Sequence, residues 1–107
     1  MQVKLNEALE REMFLAWLGS VPEDQYAGVA ADGCACPVVE YLNAVVGPGH
    51  KASWDRVFYP AERGLRSTGM PRWMRNMVGD LDAKFGRGNL VRAGELRRAI
   101  AEGEVRT

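Results

Sequence analysis

One histidine, His50, and two cysteines, Cys34 and Cys36, are the only soft metal-ligating side chains in this chain of 107 residues. A closed structural zinc site asks for four such ligands, usually as two pairs. A Cys-x-Cys pair with His50, and Asp32 as a weak fourth, falls short of that. No metal and no cofactor is therefore expected, and Cys34, Cys36 and His50 are the weak candidates for one. Two cysteines make no disulfide framework, and without Cys-x-x-Cys a thioredoxin-like redox site is excluded. No run of 18 apolar residues is present, so no membrane-spanning helix is expected. The opening "MQVKLNEALEREM" has acids where a secretion signal needs an apolar stretch, which points to a cytoplasmic protein.

Catalytic signatures are missing too. There is no His-Glu-x-x-His, no Gly-x-Ser-x-Gly and no pair of carboxylates that stands out as an acid/base couple. "GPGHKAS" at 47–53 resembles a phosphate loop only in composition. His50 and Ala52 interrupt the Gly-Lys-Ser order that cradles phosphate, and a helix rather than a strand precedes it. His50 with Cys34 or Cys36 has the residue types of a nucleophile–base pair, but a glycine turn is a poor place to hold a base. A lone surface histidine is the simpler expectation. No enzyme is expected.

Net charge is the last absence: fourteen basic side chains balance fourteen acidic ones. The balance hides a split. Residues 1–50 hold two basic and seven acidic side chains, and residues 51–107 hold twelve and seven. Either the two halves face each other or the basic half meets an acidic partner, nucleic acid included.

What is present is an ordinary globular composition, 47% hydrophobic and 26% charged, enough for one domain over 1–107. Four stretches read as helices. Residues 6–20 begin at Asn6 as N-cap, with Leu9 and Met13 a turn apart. Cys36 and Pro37 fit the entry of a second helix, which "GPG" at 47–49 ends. Residues 70–86 carry the clearest stripe, Met70, Met74, Met77, Val78, Leu81 and Phe85, and Gly79 there suggests a close helix contact. Residues 93–103 form a short last helix. Two segments, 26–30 and 54–59, read as short strands that pair into a ribbon, although 54–59 also fits a short helix. The expected fold is therefore mainly α: one small domain of about four helices, with that two-stranded ribbon as an option. The "GRGNLV" connection is too long for a helix-turn-helix.

The candidate functional cluster is Arg63, Arg66, Arg72, Trp73 and Arg75, gathered around the entry of the 70–86 helix. Arginine and tryptophan are enriched at interface hot spots and also suit phosphate contact and base stacking. On the helical wheel Trp73 falls at the edge of the apolar stripe, with Arg72 outside it.

The order of a "FLAWL" helix, an acidic connector and "CACPVVEYLNAV" resembles small uncharacterised proteins of phages and prophages, over roughly the first half of the chain. The resemblance implies a short accessory protein made inside a bacterial cell. It further implies non-catalytic binding to a host or phage protein, as in anti-CRISPR-like inhibition of a defence complex. The alternative is a nucleic-acid-binding accessory protein that uses the basic half. The sequence does not specify an oligomeric state.

Overall fold

Apolar stripes at helical spacing form helices in this chain, but much of what lies between them is strand rather than loop. The computed structural model describes Val3–Thr107. Along it run α1 (Leu5–Ala8), α2 (Arg11–Ser20), β1 (Tyr26–Val29), α3 (Pro37–Val45) and β2 (Lys51–Ala52), followed by β3 (Arg56–Ala61), β4 (Gly64–Gly69), α4 (Arg72–Phe85), β5 (Leu90–Arg92) and α5 (Ala93–Ala101). The expectation of a mainly helical fold is overturned: this is an α+β fold with a two-stranded and a three-stranded sheet.

The strand pairing differs from the expected ribbon as well. β1 pairs with β5, and β3 pairs with β2 and β4, so 26–29 and 56–61 belong to different sheets. Local closure decides this. Glu62 and Arg63 turn the chain between Ala61 and Gly64, and Gly64, next after them, takes the left-handed backbone (φ 85°) of the residue that follows a type I hairpin turn. Phe58 and its neighbours find β4 a few residues away, at a far smaller loop-closure entropy than β1 requires. β4, "GLRSTG", has no apolar alternation because it is an edge strand with exposed or half-exposed residues throughout.

The first expected helix is broken in two at Leu9–Glu10. The break releases the carbonyls of Ala8 and Leu9 from the helical ladder: Met13 N–H goes to Glu10 O rather than Leu9 O, and no backbone N–H among the described residues reaches Ala8 O. Distant aromatic side chains take both released acceptors. The Tyr41 hydroxyl donates to Ala8 O at 2.5 Å, and the Trp73 indole N–H donates to Leu9 O at 2.9 Å.

Those two side chains close on Phe14. Tyr41 stands edge-on to it at 5.2 Å, and Trp73 lies 5.7 Å away. The rest of the core continues through Leu18, Leu42, Met74, Met77 and Leu96, all within 1% of complete burial. Of the stripe expected in 70–86, Met74, Met77 and Leu81 form the buried face of α4, Met70 is buried just before it, and Val78 and Phe85 are half-buried beside it. β1 passes close over the entry of α3: a Cβ on Gly28 would meet Pro37 N at 2.5 Å, so only glycine fits there. Gly79 makes no such contact, as nothing lies within 4 Å of the Cβ it lacks. β5 separates α4 from α5, so the last two helices form no helix-turn-helix.

Candidate functional site

Of the three tryptophans, two point inward and one outward. Trp17 and Trp73 join Phe14 in the aromatic core, both half-buried. Trp54 is 77% exposed, the most exposed large hydrophobic side chain among the described residues. It sits in the three-residue turn Ser53–Asp55 between β2 and β3, and that turn is well held. Ser53 N–H donates to Arg56 O at 2.9 Å, and Arg56 N–H donates to Ser53 Oγ at 3.2 Å. Ser53 Oγ donates in turn to Asp55 Oδ1 at 3.2 Å, and Asp55 O accepts from Met70 N–H at 2.8 Å. An exposed indole is thus carried on a turn with little freedom left to lose.

Two adjoining hollows meet at Trp54, and both also touch Val78 and Asp82 of α4. The first, about 430 Å³, lies against Asp32, Cys36, Ser53 and Arg87. The second runs along α4 past Arg72, Arg75 and Gly79. Burial pushes the Asp82 carboxyl above its ordinary value, against the opposing pull of the Ala31 N–H and the Arg87 charge. Ala31 holds a left-handed backbone (φ 61°), a strained state for a residue with a Cβ, and it lines the same hollow.

The sequence-predicted residues separate into three places. Arg72 and Arg75 are exposed on α4 and line the second hollow beside Trp54. Arg63 and Arg66 lie toward the far end of the β3–β4 hairpin with Tyr59 and Glu62. Trp73 leaves the cluster for the core, where its N–H and ring are both engaged. Helical geometry placed it at the stripe's edge, and the broken α1–α2 helix then covers that edge.

Trp54 was not singled out from the sequence. The signal was present in "SWDR", where serine and aspartate flank a tryptophan in the manner of a turn. Read as strand onset, the same four residues give no hint of exposure.

Cys34, Cys36 and His50 do not form a common site. Among the described residues, no three His, Cys, Asp or Glu side chains stand where they could hold a metal ion. Cys34 is exposed, and its N–H donates to Asp32 Oδ1 at 2.8 Å. Cys36 is buried at the entry of α3. Burial pushes its thiol up, outweighing the Val39 and Val38 N–H groups, so the unreactive protonated form is favoured. The expected surface position of His50 is overturned: it is 5% exposed. Its Nδ1 lies 2.8 Å from Gly47 O and 3.2 Å from Asn43 Oδ1, and its backbone N–H donates to Asn43 Oδ1 at 2.9 Å. That clasp closes the "GPG" turn.

Much of the basic half is engaged internally. Arg97 donates to Leu18 O and Val21 O, both at 2.7 Å, closing the C-terminal end of α2. Arg92 donates to Asp24 O and lies 4.9 Å above the Tyr26 ring. Arg106 pairs with Asp80, and Lys84 with Glu104. Lys51, Arg63, Arg66, Arg72, Arg75 and Arg87 make no side-chain hydrogen bond or ion pair among the described residues. All four arginines of the predicted cluster are in that set. Compared with protein-family models, with curated proteins and with solved structures, the chain matches none.

Proposed function

We propose that this protein is a non-catalytic binding module that docks on a partner protein through the Trp54 turn and the adjoining flank of α4. A host or defence complex met by a phage accessory protein is the setting this reading takes from the sequence resemblance. One observation carries the proposal: Trp54 is 77% exposed on a turn held by hydrogen bonds on both sides. A tryptophan on a turn whose backbone is already held costs less ordering on binding, and tryptophan and arginine are both enriched among hot spots. Arg72, Arg75 and Arg87 are interspersed with Asp32 and Asp82 around the hollows. Mixed charge of this kind suits a protein surface better than a polyphosphate, which the two carboxylates repel.

The test uses Trp54→Ala and the double variant Arg72→Ala with Arg75→Ala. Affinity capture from a bacterial host lysate should recover one stoichiometric partner with wild type. That partner should be lost with Trp54→Ala while Tm is unchanged. Recovery of the same partner with Trp54→Ala sinks the proposal. Binding of mixed single-stranded DNA, with affinity falling steeply as salt rises, would favour the nucleic-acid alternative instead.

A further inference from the structure

Strand β4 has one paired edge and one open edge. It pairs with β3 over its whole length, and no backbone hydrogen bond joins it to any other segment among the described residues. The direction of its backbone groups follows from the ladder. Met70 N–H donates to Asp55 O at 2.8 Å, so position 70 faces β3. Antiparallel pairing alternates inward and outward, so Thr68 and Arg66 also face β3, and Gly69, Ser67 and Leu65 turn their N–H and C=O outward. Pro60 agrees with this phase. It sits opposite Leu65, where β3 offers β4 no N–H, and its missing donor leaves the β3–β4 ladder intact.

From the geometry we infer that β4 is a docking edge for an extended acidic segment of a partner protein, which adds as a fourth strand. This deepens the protein-binding reading and rests on it. Charge selects the occupant. Residues 56–72 carry Arg56, Arg63, Arg66 and Arg72 against the single acid Glu62. Arg63 and Arg66 have no intramolecular partner among the described residues. Arg66 faces β3 for its hydrogen bonds, so toward an added strand it occupies the non-hydrogen-bonded position, where opposing side chains approach most closely. A carboxylate opposite Arg66 is therefore favoured and an ammonium is not. A second copy of this chain would set one basic hairpin against another, which disfavours it as occupant. Natural edges exposed in this way are templates for strand addition unless something blunts them. Here Leu65, 45% exposed, leaves the edge uncovered.

The experiment is fluorescence anisotropy with a labelled decapeptide of alternating Glu and Val, and with its Lys–Val counterpart. Wild type should bind the Glu–Val peptide and not the Lys–Val peptide. Ser67→Pro removes one outward N–H without touching the backbone ladder to β3, and should weaken binding at least tenfold relative to Ser67→Ala, which equally frees Arg56 from Ser67 Oγ. Arg66→Glu should weaken it as much relative to wild type. Trp54→Ala should leave peptide affinity unchanged, so a failure here is separable from a failure of the Trp54 site. Methylating the peptide's own amide nitrogens should abolish binding whether or not Ser67→Pro folds. Equal affinity for both peptides overturns the inference. So does undiminished binding by the methylated peptide, since attraction by charge alone, as nucleic acid would show, needs no ladder. A concentration-dependent dimer that Ser67→Pro dissociates would also overturn it, in favour of a second copy.

Discussion

Tyr41 and Trp73 each do two jobs, filling the core with a ring and satisfying a carbonyl released where the first helix breaks. Trp73→Ala removes both at once, and truncation of a core aromatic costs about 3–5 kcal/mol. Urea unfolding should show a loss of about 3 kcal/mol or more, whereas Trp54→Ala should leave the midpoint nearly unchanged. A Trp73→Ala protein as stable as wild type would return Trp73 to the surface cluster. Tyr41 makes the molecule sensitive to alkali. Burial, with the nearby Glu10 charge assisting, pushes its phenol up to about 12 from 10.0. The folded state keeps this proton where the unfolded chain releases it. Its stabilisation is complete below pH 10 and is lost progressively as pH rises from 10 through about 12. Urea midpoints measured from pH 9 to pH 12 should fall less steeply for Tyr41→Phe than for wild type. Parallel curves would mean that another group governs the alkaline limb.

At the scale of elements, α4 is well patterned but carries one avoidable weakness. Gly79 lies in its interior with open space where a Cβ would be. The close helix contact that a mid-helix glycine suggests is absent. Gly79→Ala should therefore raise stability by about 0.5–1 kcal/mol, through helix propensity and a less flexible unfolded chain. Thermal unfolding checks this, and a lower Tm would reveal a contact hidden from the present geometry. The β3–β4 hairpin is the opposite case. Its turn is well specified, but its outer strand contributes little burial. It is held by the ladder and by its neighbour rather than by its own side chains.

For the whole molecule, the last residues matter more than their polarity suggests. Val105 is 1% exposed, and Arg106 binds Asp80 of α4 through its backbone N–H and its guanidinium. Those contacts hold the Asp80 carboxyl below its ordinary value, so this exposed pair loses its contribution as pH falls through the carboxylate range. Ending the chain after Gly103 should cost about 2 kcal/mol, mostly the buried valine. In a domain of this size that lowers Tm by roughly 10 °C. Differential scanning calorimetry would show it, and an unchanged Tm would mean that the tail is only loosely docked. Of the five ion pairs among the described residues only Arg98–Glu23 joins the two halves, while Lys84–Glu104, Arg92–Glu95 and Arg106–Asp80 lie within the basic half. The unpartnered arginines then concentrate on the hairpin and the flank of α4.

Helix existence was legible because the inward faces of α3 and α4 repeat at 3.6 residues, and Cys36–Pro37 and Gly86 mark their ends by local backbone chemistry. Strand β3 was legible only in part: its aromatic and β-branched residues fit a strand over 54–59 or a short helix, and the strand runs over 56–61, through Pro60, whose missing N–H faces away from β4. β4 and β5 were not legible: one is a polar edge and the other is three residues long, so neither has a period to detect. That is why the sequence suggested a mainly helical fold and the structure is α+β. Arg72 and Arg75 were identified from sequence as surface candidates, and the structure places them beside a hollow. The fates of the tryptophans were decided by tertiary structure alone. Whether an indole is core or surface depends on what another segment offers it. The free carbonyl of Leu9 drew Trp73 inward, and the Ser53–Arg56 turn carried Trp54 out into solvent.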